Sequence, residues 1–253
     1  MSFTLAHPAA IVPVHALARG RLRLAALALG AASPDFQYFL HLNTEGRFAH
    51  SLPGLILVCL PAAWLALVLF DRWGRRGIQA LLPTPWCLPP PPTPPRPFLA
   101  TTAALLLGAL THVVWDAFTH ASGWGVRHLP MLQAPVLWPF LSVPWFRVLQ
   151  HGSTLVGLAA LAYVCLQWMR AQPLRPWAQA LGRLVGAALV LAGLGSLNGL
   201  RFLDEGLAHV FVSGGVAVTA GLGLGLLVLG WCQHAQSGRL RAHEAARASL
   251  RGT

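Results

Sequence analysis

The stretch FLATTAALLLGALTHVVWDAF, residues 98–118, decides how this chain is read. It carries only two ionisable residues, His112 and Asp116, both near its end. As a helix rising about 1.5 Å per residue it would be roughly 30 Å long, the thickness of a bilayer's hydrocarbon core. A soluble helix of that length would pair its apolar stripe with a charged face, and this one has no such face. It reads as a membrane span.

Four further runs fit the same template: Leu52–Phe70, Ser153–Met169, the Gly- and Ala-rich Leu184–Leu200, and Leu207–Trp231. Leu22–Ala32 is too short to span alone and is expected as a buried, re-entrant or interfacial helix. The expected fold is therefore all-α: a polytopic bundle of about five spanning helices plus that N-terminal segment. It would form a single helical domain over residues 1–235, with a basic tail at 236–253. Composition agrees: charged residues make up 10% of the chain, against roughly 25% in soluble domains.

The formal net charge of +11 comes from 18 basic residues, all of them arginine. A nucleic-acid binder would gather them on one surface. Here they sit mainly between the apolar runs, as topology signals do, so no nucleic-acid partner is expected. Arg72, Arg75, Arg76 and Arg96, then Arg170, Arg175 and Arg183, then Arg239, Arg241, Arg247 and Arg251 mark three segments as cytoplasmic, the C-terminus included. Asn43–Ser51, Thr119–Gly152 and Leu203–Gly206 then face outward. Arg19, Arg21 and Arg23 are discordant: the N-terminus is either tucked into the membrane or starts inside. The cytoplasmic loop 83–97 is Pro-rich and reads as an extended spacer. Gly pairs such as Gly182/Gly186 and Gly195/Gly199 allow close helix packing. The four cysteines form no CxxC pair, which argues against a disulfide framework or thiolate metal site.

Within this frame Asp116 stands out. A carboxylate in a span costs about 2.5–3.5 kcal/mol on insertion scales and usually has a partner and a role. His112, Asp116 and His120 are spaced i, i+4, i+8, and i,i+4 residues share a helix face. Imidazole nitrogen and carboxylate oxygen are ordinary zinc ligands. The structural alternative is that Asp116 pairs with a protonated His112 or His120 and stabilises a helix contact. The arginine-based topology brings Asp35, His50, Asp116, His120 and His151 to one membrane face. His112 lies about two turns below His120.

Several motifs carry a family resemblance. His7, Ser33-Pro34-Asp35, Gly46-Arg47-Phe48-Ala49-His50-Ser51 and Gly108-Ala109-Leu110-Thr111-His112-Val113-Val114-Trp115-Asp116 together resemble the membrane-bound metal-dependent hydrolases. Thr119-His120-Ala121-Ser122-Gly123-Trp124, Arg127-His128-Leu129-Pro130 and Leu149-Gln150-His151-Gly152-Ser153 are similar to a bacterial membrane family designated domain of unknown function 4184. The resemblance covers residues 1–235 and implies a multi-pass protein of the bacterial inner membrane. The hydrolase likeness implies a zinc-type site that cleaves phosphoesters, and a site at the outer interface would suit a phospholipid or another amphiphile whose head group lies at that level. One departure is that the second His often found shortly before the position of His50 is missing, and the stretch reads Glu45-Gly46-Arg47.

The expected metal ligands are His50, His112 and Asp116, with His120, His151 and His7 as further ligands of the same or a second ion. Asp35 and Asp116 are the expected catalytic carboxylates, Asp35 bridging ions or orienting a histidine. Arg47, Arg127 and His128 are candidates to hold substrate, since guanidinium matches phosphate oxygens bidentately. Competing classes are a transporter or proton relay, and a structural metal-binding protein using the same residues.

Overall fold

In the computed structural model the helices follow the apolar runs. The structure describes residues 7, 9–41, 48–82, 88, 97–138, 141–170, 177–202 and 206–251. Among these, four stretches are long and apolar enough to cross a bilayer: Leu52–Leu81, Phe98–His128, Trp145–Arg170 and Val210–Ser237. The run expected at Leu184–Leu200 falls on the helix Trp177–Leu200, where Val190–Leu200 forms a shorter apolar stretch. Large side chains such as Leu57, Leu65, Leu155, Val156 and Phe211 are exposed along these helices. Such surfaces are stable against lipid and aggregate in water. The chain is an all-α polytopic helical bundle.

The elements in order are α1 (Ile11–Leu17), α2 (Leu24–Ala32), α3 (Phe36–His41), α4 (Leu52–Leu81), α5 (Phe98–Thr119), α6 (Trp124–His128), α7 (Pro130–Gln133), α8 (Trp145–Arg170), α9 (Trp177–Leu200) and α10 (Leu207–Arg251). Two antiparallel strands, β1 (Pro135–Trp138) and β2 (Leu141–Pro144), precede α8, with Pro135 opposite Pro144 and Trp138 opposite Leu141. The hairpin was not anticipated from the sequence. It moves the start of α8 forward to Trp145, whose amide donates to the Ala134 carbonyl at 3.1 Å.

The chain divides into two compact units, residues 1–37, 45–67 and 92–171 forming the first and the remainder the second. In the first, α2 lies directly against α5. A methyl group added at Gly30 would stand 2.1 Å from the Leu105 carbonyl oxygen, and one at Gly108 would stand 2.1 Å from that of Leu27. Only glycine permits this approach. Around it Ala26, Leu27, Ala31, Ala104 and Leu105 are buried with Ile11, Ala63 and Leu67. The Leu22–Ala32 segment thus contains a buried helix seated on a span, which follows from its small residues rather than from amphipathicity.

In the second unit α9 and α10 pack through Gly195 against Gly214 and Gly199 against Val210. The buried Asn198 side chain donates to the Ser213 carbonyl at 2.8 Å. Gly77 and Gly230 let the end of α4 meet α10 at the carbonyls of Leu226 and Trp73.

Candidate metal centre

The site lies wholly in the first unit and begins with α5. His112 and Asp116 sit one turn apart on it, as their spacing predicts, and His112 is 1% exposed. His112 Nδ1 donates to the Ala31 carbonyl of α2 at 2.7 Å. A carbonyl only accepts, so Nδ1 carries the proton and a neutral ring presents its lone pair at Nε2. That nitrogen lies 3.3 Å from Asp116 Oδ2 and 3.6 Å from Asp35 Oδ1. It is nevertheless buried without a hydrogen bond of acceptable geometry. A lone pair facing two carboxylate oxygens is repulsive unless a proton or a metal cation lies among them.

Two short turns bring the other donors. Asp35 closes the 3₁₀ turn Ser33–Asp35 at the end of α2, which Pro34 and the Ser33 hydroxyl, donating to the Gly30 carbonyl at 2.8 Å, hold in place. His50 closes a second 3₁₀ turn, Phe48–His50. Ser51 donates to the Phe48 carbonyl at 2.7 Å and caps α4 by accepting from the Gly54 amide at 3.1 Å. The Cys59 thiol donates to the Ala49 carbonyl at 3.2 Å. A methyl at Gly54 would meet the Phe48 carbonyl oxygen at 1.9 Å, so the turn folds tightly onto the start of α4.

His50 Nε2 then lies 3.3 Å from Asp35 Oδ1 and 3.6 Å from Asp116 Oδ2. Together with the two His112 distances, four atoms from α2, α5 and the turn before α4 are linked by separations of 3.3–3.6 Å. Ligands held at about 2.0–2.2 Å around a tetrahedral ion lie roughly 3.3–3.6 Å apart. These four separations match that spacing, and the donor atoms of His50, His112 and Asp116 all lie within 4.8 Å of one another, so the residues could hold a cation of zinc's size.

His7 stacks on His112, with ring centroids 3.7 Å apart and planes 15° from parallel. Its Nε2 is 3.6 Å from Asp116 Oδ1. Burial pushes its pKa down to about 4, which favours the neutral form that can ligate a metal. Two sets offer ligand atoms within 4.8 Å of one another, His7 with Asp35 and His112, and His50 with His112 and Asp116. Both use His112, whose one free nitrogen serves one ion at a time. The two sets therefore describe a single centre.

His120 departs from the helical spacing read in the sequence. α5 stops at Thr119, and His120 is extended with φ −117° and ψ 140°. Its backbone amide still donates to the Asp116 carbonyl at 3.1 Å, and the amide of Gly123 donates to the His120 carbonyl at 2.8 Å. The chain thus turns back, and His120 Nδ1 comes 3.2 Å from Asp116 Oδ1 instead of standing a further turn away. On the other side of the ring, the Gln150 amide group donates to His120 Nε2 at 3.3 Å. That leaves the proton on Nδ1, directed at Asp116.

Sequence reasoning missed both Gln150 and the Ala31 carbonyl. Gln150 was visible only as the neighbour of His151, and a backbone acceptor leaves no trace in side-chain motifs. His151 itself is exposed on α8, and among the described contacts none joins it to the cluster. Arg127 and His128 are exposed on α6, where His128 stacks on Trp124 and donates to its carbonyl at 2.8 Å. Glu45 and Arg47 lie outside the described residues. Of the cluster's side chains, His7, Asp35 and His112 are at most 4% exposed, whereas Asp116, His50 and His120 are 15–25% exposed. The centre is sealed on the α2 side and accessible on the other.

No match was found among curated proteins or solved structures. The resemblance to metal-dependent hydrolases therefore stands on the motif residues alone. A family profile described as domain of unknown function DUF4184 matches residues 1–231. With nearly the whole chain matched, the protein belongs to the DUF4184 family.

Proposed function

We propose that this chain is a membrane-bound metal-dependent hydrolase with one zinc-type ion held by His50, His112 and Asp116, and with Asp35 as a fourth donor or proton acceptor. The observation that carries the reading is the set of four donor atoms linked by separations of 3.3–3.6 Å. When bound, a divalent ion supplies Lewis acidity: it lowers the pKa of water to about 7 and polarises a carbonyl or phosphoryl oxygen. The chain's own residues do the rest. Ala31 fixes the tautomer of His112, and His120, itself fixed by Gln150, orients Asp116. Asp35, where it is not a ligand, would take a proton from the attacking water. The exposed edge at His50, Asp116 and His120 gives water and substrate a way in. We place the site at the outer face of the bacterial inner membrane, with the C-terminus in the cytoplasm, on the arginine distribution.

A second reading is favoured by the same geometry. A fourth protein donor, Asp35 or His7, would close the centre, and closed sites are structural. One experiment separates the two: load the purified protein with zinc and screen phosphoesters and carboxylic esters with and without chelator. Chelator-sensitive hydrolysis that is lost in Asp35→Asn supports the enzyme. Stoichiometric zinc with no hydrolysis, and no entry of azide into a cobalt-loaded centre, supports the structural site. Protein that holds no metal after metal-replete purification overturns both.

A further inference from the structure

A cavity of about 290 Å³ lies between the N-terminal segment, α5 and α8. Its wall includes His7, Trp115, Ser153, Thr154, Val156 and Ala160. His7 is thus at once part of the metal cluster and part of this wall. The wall's other polar donors are already committed within the protein. Trp115 Nε1 donates to Ser153 Oγ at 3.1 Å, and the hydroxyls of Ser153 and Thr154 donate to the Gln150 carbonyl at 3.1 and 2.9 Å. What the cavity offers a ligand is chiefly apolar surface, and His7 joins that surface to the cluster. Val156, on the wall, is 70% exposed in the stretch 155–166 of α8, whose exposed side chains are apolar apart from Tyr163. In a bilayer such a face meets lipid, so the cavity is open to the hydrocarbon phase rather than only to water.

We propose that this groove holds the hydrocarbon chain of an amphiphilic substrate that enters sideways from the bilayer, with the hydrolysable head group at the metal centre. The proposal rests on the metal reading above and adds the substrate class. A water-soluble ester would leave the groove empty and would gain nothing from it. A chain in the groove is removed from neither water nor lipid at random: it is aligned along α8, so that the bond next to its polar end meets His7 and the cluster. Orientation of this kind contributes to catalysis by fixing the reacting group before the chemical step.

The test uses full-length protein loaded with cobalt in lipid nanodiscs, with methylphosphonate and dodecylphosphonate as probes. Each is titrated while the visible cobalt bands are followed. Ala160 is exposed, and Ala160→Phe fills the groove. Ala162→Phe adds the same bulk at an exposed position of the same helix outside the groove and controls for partitioning into the bilayer. In wild type both probes should shift the bands. In Ala160→Phe the half-saturating concentration of dodecylphosphonate should rise roughly tenfold, about 1.4 kcal/mol of lost packing and alignment of its chain in the groove, with methylphosphonate unchanged. Ala162→Phe should change neither. Val156→Phe supplies a second block should Ala160→Phe alter the cobalt spectrum by itself. A protein without cobalt bands overturns the metal reading and this proposal with it. A cobalt-loaded protein in which the blocked groove leaves dodecylphosphonate binding unchanged, or into which neither phosphonate enters, overturns the substrate assignment alone.

Discussion

His112 Nδ1 donates to the carbonyl oxygen of Ala31 at 2.7 Å, across the crossing of α5 and α2. The contact fixes which nitrogen is free and directs it at Asp35 and Asp116. It also couples the most buried donor of the cluster to the packing of the helix that ends in Asp35. The coordination geometry and the fold of the first unit are therefore one problem.

The first consequence concerns which histidines bind metal. His112→Ala removes a buried donor that both ligand sets share, and metal content measured by mass spectrometry should fall from about one ion per chain to near zero. His151→Ala, at an exposed position of α8, should keep the full complement. If the two variants lose metal equally, the centre described here is not the one that binds.

His120 acts through Asp116. Substitution of residues that orient a ligand typically weakens metal binding about 10–100-fold without abolishing it. His120→Ala should therefore bind metal at full stoichiometry when metal is in excess, with an affinity lower by that factor in a chelator competition. Gln150→Leu, one bond further out, should move affinity in the same direction by less. A His120→Ala protein that cannot be saturated would make His120 a ligand.

The α2–α5 crossing should be intolerant of a single methyl group. Alanine in a helix is favoured over glycine by about 1 kcal/mol. At Gly108 a methyl would stand 2.1 Å from the Leu27 carbonyl oxygen, and overpacking of this kind costs about 1–3 kcal/mol. Backbone cannot swing aside as a side chain does, so the clash should win. Gly108→Ala should melt at a lower temperature and bind metal more weakly, because Ala31 and Asp35 move with α2. Gly225→Ala, with nothing within 4 Å of the added methyl, should be neutral or slightly stabilising. Equal melting temperatures for the two would show that the crossing has more room than the structure gives it.

The bundle and most of the cluster were legible because both leave residue-level signatures. Apolar length marks a span, and Asp116 is conspicuous only because it lies in one. The i,i+4 spacing of His112 and Asp116 needed no tertiary knowledge. Asp35 and His50 were weak signals alone, since each sits in a short turn whose direction depends on Gly30, Gly108 and Gly54 meeting backbone carbonyls. Close approaches of this kind are set by tertiary packing, which spacing does not encode. The turn-back at His120 was hidden for a similar reason: nothing in Thr119-His120-Ala121 forces a helix end, which instead goes with Gly123 approaching the Ala117 carbonyl oxygen, where a methyl would stand 2.4 Å away.

Metal removal should loosen the protein in proportion to the occupancy of the centre. Two carboxylates, Asp35 and Asp116, face the same two imidazoles, and a dication among them offsets their mutual repulsion. A ligand that binds only the folded state stabilises it by RT ln(1 + [L]/Kd), about 4 kcal/mol at a thousandfold excess over Kd. Each kcal/mol shifts melting by about 2–4 °C for a chain of this size. Chelator should then lower the melting temperature of the wild type in detergent by several degrees, and added zinc should restore it. Asp116→Asn removes one negative charge and one ligand while keeping the side chain's size, so its melting temperature should not respond to chelator. It should also melt no lower than chelated wild type, since one of the two facing charges is gone. A variant that melts well below the chelated wild type would instead make Asp116 a structural partner of His112 and His120, and the metal centre would lose its main argument.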